Sequence, residues 1–244
     1  MSGGRAMPGA DPDGGVGWYG KIPAAGDFMR RRLSHGLVAW WDKWLQYGLA
    51  ALRQMPAGGA ERAYAAAPLW NFAIPAGAGA GAVLLGGMAP SRDRVGRAYP
   101  LSAMAVVPAQ AYQPGLLEDA GDYYRQLGAT LLAAVRRGGA AEQLDRQLQA
   151  MPLPVAMPPA RPAPAGQDIL DILNAGQAGN APLAGARGLA AWPELPFCFN
   201  PGSHTSYWWT NQADGAALQT YVHGGALNAT LFLRLFAAPP AWRV

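Results

Sequence analysis

"GAVLLGGMAPSRDRVGRAYPLSAMAVVP", residues 81–108, reads as two short apolar runs, each closed by a proline and joined by a polar loop. Runs of this length bounded by turn residues are strands, and a short polar connection between them makes a hairpin. This part of the chain is therefore expected to build an antiparallel sheet. Upstream, "PLWNFAIP" (68–75) is a further strand between prolines. "VGWYGKI" (16–22) is another, entering a turn at Pro23 and Gly26. Proline presets φ for such a turn and glycine tolerates positive φ.

Helical spacing begins at Ser34, a candidate N-cap. Leu37, Trp41, Trp44, Leu45, Gly48 and Leu52 then recur every three or four residues. Trp40 and Tyr47 fall off this stripe, so the helix is either buried between layers or keeps a face for a partner. Leu116 to Arg136 reads as one helix with Glu118 and Asp119 in its first turn and Arg136, Arg137, Gly138 and Gly139 at its end, charge placements that suit the helix dipole. "AEQLDRQLQ" (141–149) adds a short polar helix. Residues 151–166 carry repeated prolines and read as a linker. Beyond it, "DILDIL" is expected to be a short helix, and "SYWWTN" with "AALQTYV" a second hairpin turning at Asp214-Gly215. "NATLFLRLF" (228–236) is assigned to helix in preference to strand. Trp208 and Trp209 must point to opposite faces of their strand. Each such pair implies a second layer or an exposed anchor. The expected class is α/β: a mixed, largely antiparallel β-sheet flanked by helices on both faces. The expected division is a disordered tail (1–15), a main domain (16–150), the linker, and a C-terminal lobe (167–244) packing on the first.

The 244 residues carry a formal charge of +4 with only 14% charged side chains, and Lys21 and Lys43 are the only lysines. Basic density is confined to Arg30–Arg32 and to Arg92, Arg94 and Arg97, too little to favour nucleic acid. Cys198 is the sole cysteine, which excludes an intrachain disulfide, and between Phe197 and Phe199 it is expected to be buried. "MSGGRAMPGADPDGG" lacks the apolar run of a secretory signal, and no stretch offers about 20 apolar residues free of Gly and Pro, so a cytoplasmic location is expected.

Phosphate-loop, dinucleotide, zincin and nucleophile-elbow motifs are all missing, which argues against an enzyme, a cofactor or a metal. A composite site joining His204 or His223 with Asp93 and Ser91, serving a hydrolase or transferase, stays open. Lys21 is read as a strand-edge or solvated lysine. Asp27 is read as capping the turn before Phe28 or pairing with the arginines after it. In "SRDRVGR", Asp93 is expected to accept from the flanking arginines and Gly96 to supply an unusual φ. Pro23, Gly26, Asp27, Asp93 and Gly96 are thus assigned to loop geometry. Arg92, Arg94 and Arg97 are a candidate electropositive rim for an acidic partner, or for a phosphate or nucleotide that the chain would sense. Trp40 and Tyr47 join them as candidate partner contacts.

Taken together, "GWYGKIPAAGDFMRRRL", "WWDKWLQYGL", "APLWNFAIP" and "MAPSRDRVGRAYPL" resemble the TagF (ImpM) family of bacterial type VI secretion accessory proteins, over roughly residues 16–150. Ala24 and Ala25 replace more polar turn residues, and Tyr99 stands where phenylalanine is commoner. The resemblance implies a cytoplasmic, non-enzymatic regulator that restrains type VI secretion post-translationally. It also implies contact with a forkhead-associated scaffold protein and, where a phosphatase takes part, one carried on a separate chain.

Overall fold

The computed structural model describes residues 15–55, 59–154 and 191–237. The expected tail, most of the linker and the "DILDIL" helix lie outside these residues. Seven strands form one sheet: β1 (Gly17–Gly20), β2 (Met29–Arg31), β3 (Trp70–Ile74), β4 (Val83–Ala89), β5 (Leu101–Val107), β6 (Thr205–Thr210) and β7 (Thr220–Gly224). Their order is β2-β1-β5-β4-β3-β6-β7, and every pairing is antiparallel. The α/β class stands, with the sheet antiparallel throughout the described residues.

β4 and β5 pair over their whole length, from Val83↔Val107 to Ala89↔Leu101, so the hairpin read from residues 81–108 is the centre of the sheet. β6 lies against β3 with Phe72↔Trp208 in register, and the second hairpin extends the same sheet. β1 stops earlier than its apolar run, at Gly20, where the carbonyl oxygen of Pro100 occupies the space a Cβ would need.

The helices are α1 (His35–Arg53), α2 (Gly59–Ala66), α3 (Gly115–Glu118), α4 (Gly121–Arg137), α5 (Ala141–Gln149), α6 (Leu195–Cys198) and α7 (Ala229–Phe236). α1 begins where expected, with the Ser34 hydroxyl accepting from Leu37 N–H. It buries the whole predicted stripe together with Leu49. The single helix expected from Leu116 to Arg136 is instead two. Asp119 and Ala120 sit with ψ near zero (5° and 0°), which ends α3 and lets α4 start afresh. The break lets Leu117 and Ala120 bury while the Tyr123 and Tyr124 hydroxyls reach the sheet, donating to Leu85 O and Phe72 O. Residues 229–236 are helix, capped by the Asn228 side chain.

The sheet separates two cores. α4 and α5 cover Trp18, Leu85, Ala103 and Trp209, while α1 and α7 cover Phe72, Leu84, Met104 and Trp208. The period of two along a strand sends Trp208 and Trp209 into different cores, both fully buried. Cys198 departs from expectation: it is exposed, because in the short turn of α6 Leu195 and Phe199 face inward and Phe197 and Cys198 face out.

Candidate functional site: a cleft between α1 and the β4–β5 loop

The loop from Pro90 to Pro100 is organised by one carboxylate. Asp93 Oδ1 accepts from the backbone N–H of Val95 (3.1 Å) and of Arg97 (2.8 Å), and Gly96 turns the chain at φ +88°. That φ lies in the left-handed region, where glycine is unstrained. Asp93 Oδ2 accepts from Lys21 Nζ at 2.9 Å and from Arg97 Nε at 2.6 Å. Burial alone would raise this carboxyl. The Lys21 bond and the two Arg97 bonds overcome that and hold it well below the usual carboxylate range.

Lys21 is therefore not the strand-edge or solvated lysine expected: only 6% exposed, it is sealed by Asp93 and lies 4.8 Å from the Phe28 ring centroid. The β1–β2 turn is fastened to this loop by Arg94 N–H to Ala25 O, by Arg97 Nη2 to Gly26 O and by Ser91 Oγ to Lys21 O. Asp27 neither caps nor pairs here. Its side chain is exposed, with no hydrogen bond or ion pair among the described residues, while the neighbouring Gly26 carbonyl takes the arginine. Arg32, by contrast, reaches Asp145 at 2.8 Å.

A second carboxylate, Asp42 on α1, accepts from Tyr19 Oη (2.8 Å), Tyr99 Oη (2.5 Å) and Gln46 Nε2 (2.5 Å). Burial and the Asp42 hydrogen bond push both phenols well above their ordinary range, so they act only as neutral donors. Their rings carry Phe28, which stacks on Tyr19 at 5.8 Å and meets Tyr99 edge-on at 4.7 Å. The tyrosine at 99 consequently adds a bond that phenylalanine could not make.

Between these two networks opens a cleft of about 760 Å³. One wall is the Gln46, Ala50 and Arg53 stripe of α1 with Glu61 of α2, and the other is Arg92, Val95 and Arg97, with Phe28 between. Phe28 is 47% exposed and Val95 66%. Arg92 Nη1 donates to Gly96 O at 3.1 Å. Of the candidate partner contacts, Arg92 and Arg97 meet here. Arg94 faces a smaller recess of about 480 Å³ beyond the loop, with Pro23 and Arg136. Trp40 and Tyr47 share a different stripe of α1 and do not line the cleft. Trp40 is half-buried against Trp41 and the loop at Gly79, and Tyr47 is exposed.

The composite histidine site is not assembled. His204 bonds Gly77 O beyond the end of β3 that pairs Ile74 with Leu84, and His223 bonds Ala226 O. Asp93 follows the opposite end, where Trp70 pairs with Met88. Phe28, Arg53 and Val95 carry no sequence signal because each is ordinary in isolation, and Lys21, read as solvated, is buried instead. The one available signal was a lone acid amid arginines, in a chain with two lysines.

The molecule is thus an antiparallel sheet covered on both faces, with a basic and partly apolar cleft at one end. Residues 17–151 match the model of the TagF N-terminal domain, type VI secretion system-associated, and the chain belongs to that family. The fold is similar to that in the crystal structure of PA0076 from Pseudomonas aeruginosa PAO1, with a TM-score of 0.67 and 25% identity over 94% of this chain and 99% of that one. No curated protein matches the chain. No described helix is long and apolar enough to cross a membrane.

Proposed function

We propose that the chain is a cytoplasmic, non-enzymatic accessory protein that restrains type VI secretion post-translationally by docking on a component of the machine. The forkhead-associated scaffold protein implied by the family resemblance is the first partner to test. What supports the reading is the family match over residues 17–151 combined with the cleft: Lys21 and Arg97 are tied to Asp93 while Phe28 and Val95 stay exposed, leaving a surface fit for recognition. A phosphate-sensing role for the Arg92–Arg97 loop has less support. Arg97 already donates through Nε to Asp93 and through Nη2 to Gly26 O, so that edge of its guanidinium is engaged, and a bare phosphate would leave Phe28 and Val95 wet.

The test is deletion of the gene, with secreted type VI substrates measured in the medium. Secretion should rise and fall back on complementation; unchanged secretion in both directions removes the regulatory role. Recovery of the forkhead-associated protein on the immobilised chain, compared with the Arg92, Arg94 and Arg97 triple charge reversal, reads the contact itself. Reversal of buried hot-spot charges should cost a few kcal/mol of binding, on the order of 2–5, and rim charges much less.

A further inference from the structure

The cleft beside α1 holds an imbalance of charge that folding does not consume. Four cations line it, Lys21, Arg53, Arg92 and Arg97, against one acid, Glu61. Lys21 and Arg97 are partly neutralised by the shared Asp93 carboxylate, and Arg53 makes no salt bridge among the described residues. Between the cations lie apolar groups left in water: Phe28, Val95 and the exposed Ala50. Exposed apolar groups rimmed by polar and mainly cationic side chains mark a protein-recognition site.

We infer that this cleft takes an acidic peptide segment of the partner, with an aromatic or aliphatic anchor set against Phe28 and Val95 and its carboxylates directed at Arg53 and Arg92. This rests on the docking reading above and specifies its partner's chemistry. Charge complementarity selects acid over base. The apolar floor selects a peptide over a bare anion, which would leave Phe28 and Val95 wet. A volume of about 760 Å³, open along one side of α1, suits a few residues of extended or helical chain. Phe28 is held as a platform by Tyr19 and Tyr99, whose hydroxyls are fixed on Asp42, so the anchor meets a preformed surface at little ordering cost.

The test is selection of a phage-displayed random dodecapeptide library on the immobilised full chain, followed by fluorescence anisotropy on the leading synthetic peptide. The expected result is enrichment of Asp and Glu around an aromatic or leucine residue. Binding should fall about tenfold or more in V95D and in R53E, and on raising salt from about 50 to about 300 mM. R137E, an exposed arginine on α4 across the sheet, should bind like wild type. Thermal melts confirm that each variant folds. The inference is overturned by no enrichment above bare support, by enrichment of neutral or basic peptides, or by binding indifferent to V95D and R53E. Equal affinity for a dodecamer RNA, lost in the same variants, would also overturn it. Secretion is not read here, so failure of the cleft and failure of the regulatory role are separable.

Discussion

Lys21 and Asp93, 72 residues apart in the chain, meet as a buried ion pair at 2.9 Å and join the β1–β2 turn to the β4–β5 loop. Removing either partner would leave the other charge buried without its counterpart, which is more costly than removing both. K21M and D93N should each lower the melting temperature, and the double variant should lose less than the sum. Thermal unfolding of the four proteins checks this.

The same pair sets an acid limit. The Asp93 carboxyl is depressed in the folded state, so its contribution is fully present above the unfolded value of about 4. It is lost as pH falls from there towards the folded value. Stability against urea should therefore drop below about pH 4, and D93N should flatten that part of the profile. An unchanged acid slope in D93N would assign the limit to other carboxylates.

α1 and α7 meet where Gly48 lies flat against the Phe232 ring, with no room for a Cβ. G48A should destabilise by about 1–3 kcal/mol despite alanine's better helix propensity. F232A alone should cost about 3–5 kcal/mol through its cavity. Combined, the two should fall short of additivity, since the added methyl enters space that the ring vacates. Denaturant titrations of the cycle measure the coupling.

Asn228 caps α7 by accepting from Leu231 N–H at 2.9 Å, while its backbone oxygen takes Trp44 Nε1. N228A should cost about 1 kcal/mol and N228S or N228D much less, because only the side-chain acceptor is lost. Urea midpoints distinguish them.

At Tyr99 the hydroxyl bonds a carboxylate that Tyr19 also uses. Y99F should cost about 1 kcal/mol, since Asp42 keeps its other donors. A larger loss would mean that the tyrosine pair acts as a unit.

The periodicity of the chain carried much of the architecture. The hairpin at 81–108, the α1 stripe under its Ser34 cap, the division of Trp208 from Trp209 and the helix at 229–236 all follow from local spacing, turn residues and capping. The departures occur where burial settles what local pattern leaves open: β1 ends at Gly20 against Pro100, Leu117 and Ala120 bury at the break ahead of α4, and the turn of α6 faces Cys198 outward. Arg92, Arg94 and Arg97 could be picked out together as an electropositive rim because charge clustered in a loop is visible in sequence, though only Arg92 and Arg97 line the cleft. Their partners were not, because an ion pair or an aromatic platform is a relation between positions that sequence separation hides. The amino-acid order alone set most of the strands, the long helix α1, the closing helix α7 and which side chains were apolar, but not β2, α2, α6 or the break between α3 and α4. Only three-dimensional packing decided that Lys21 is buried, that Phe28 is propped open to solvent and that Arg53 of α1 faces the loop across the cleft, because desolvation and Coulomb attraction act through space and have no period along the chain.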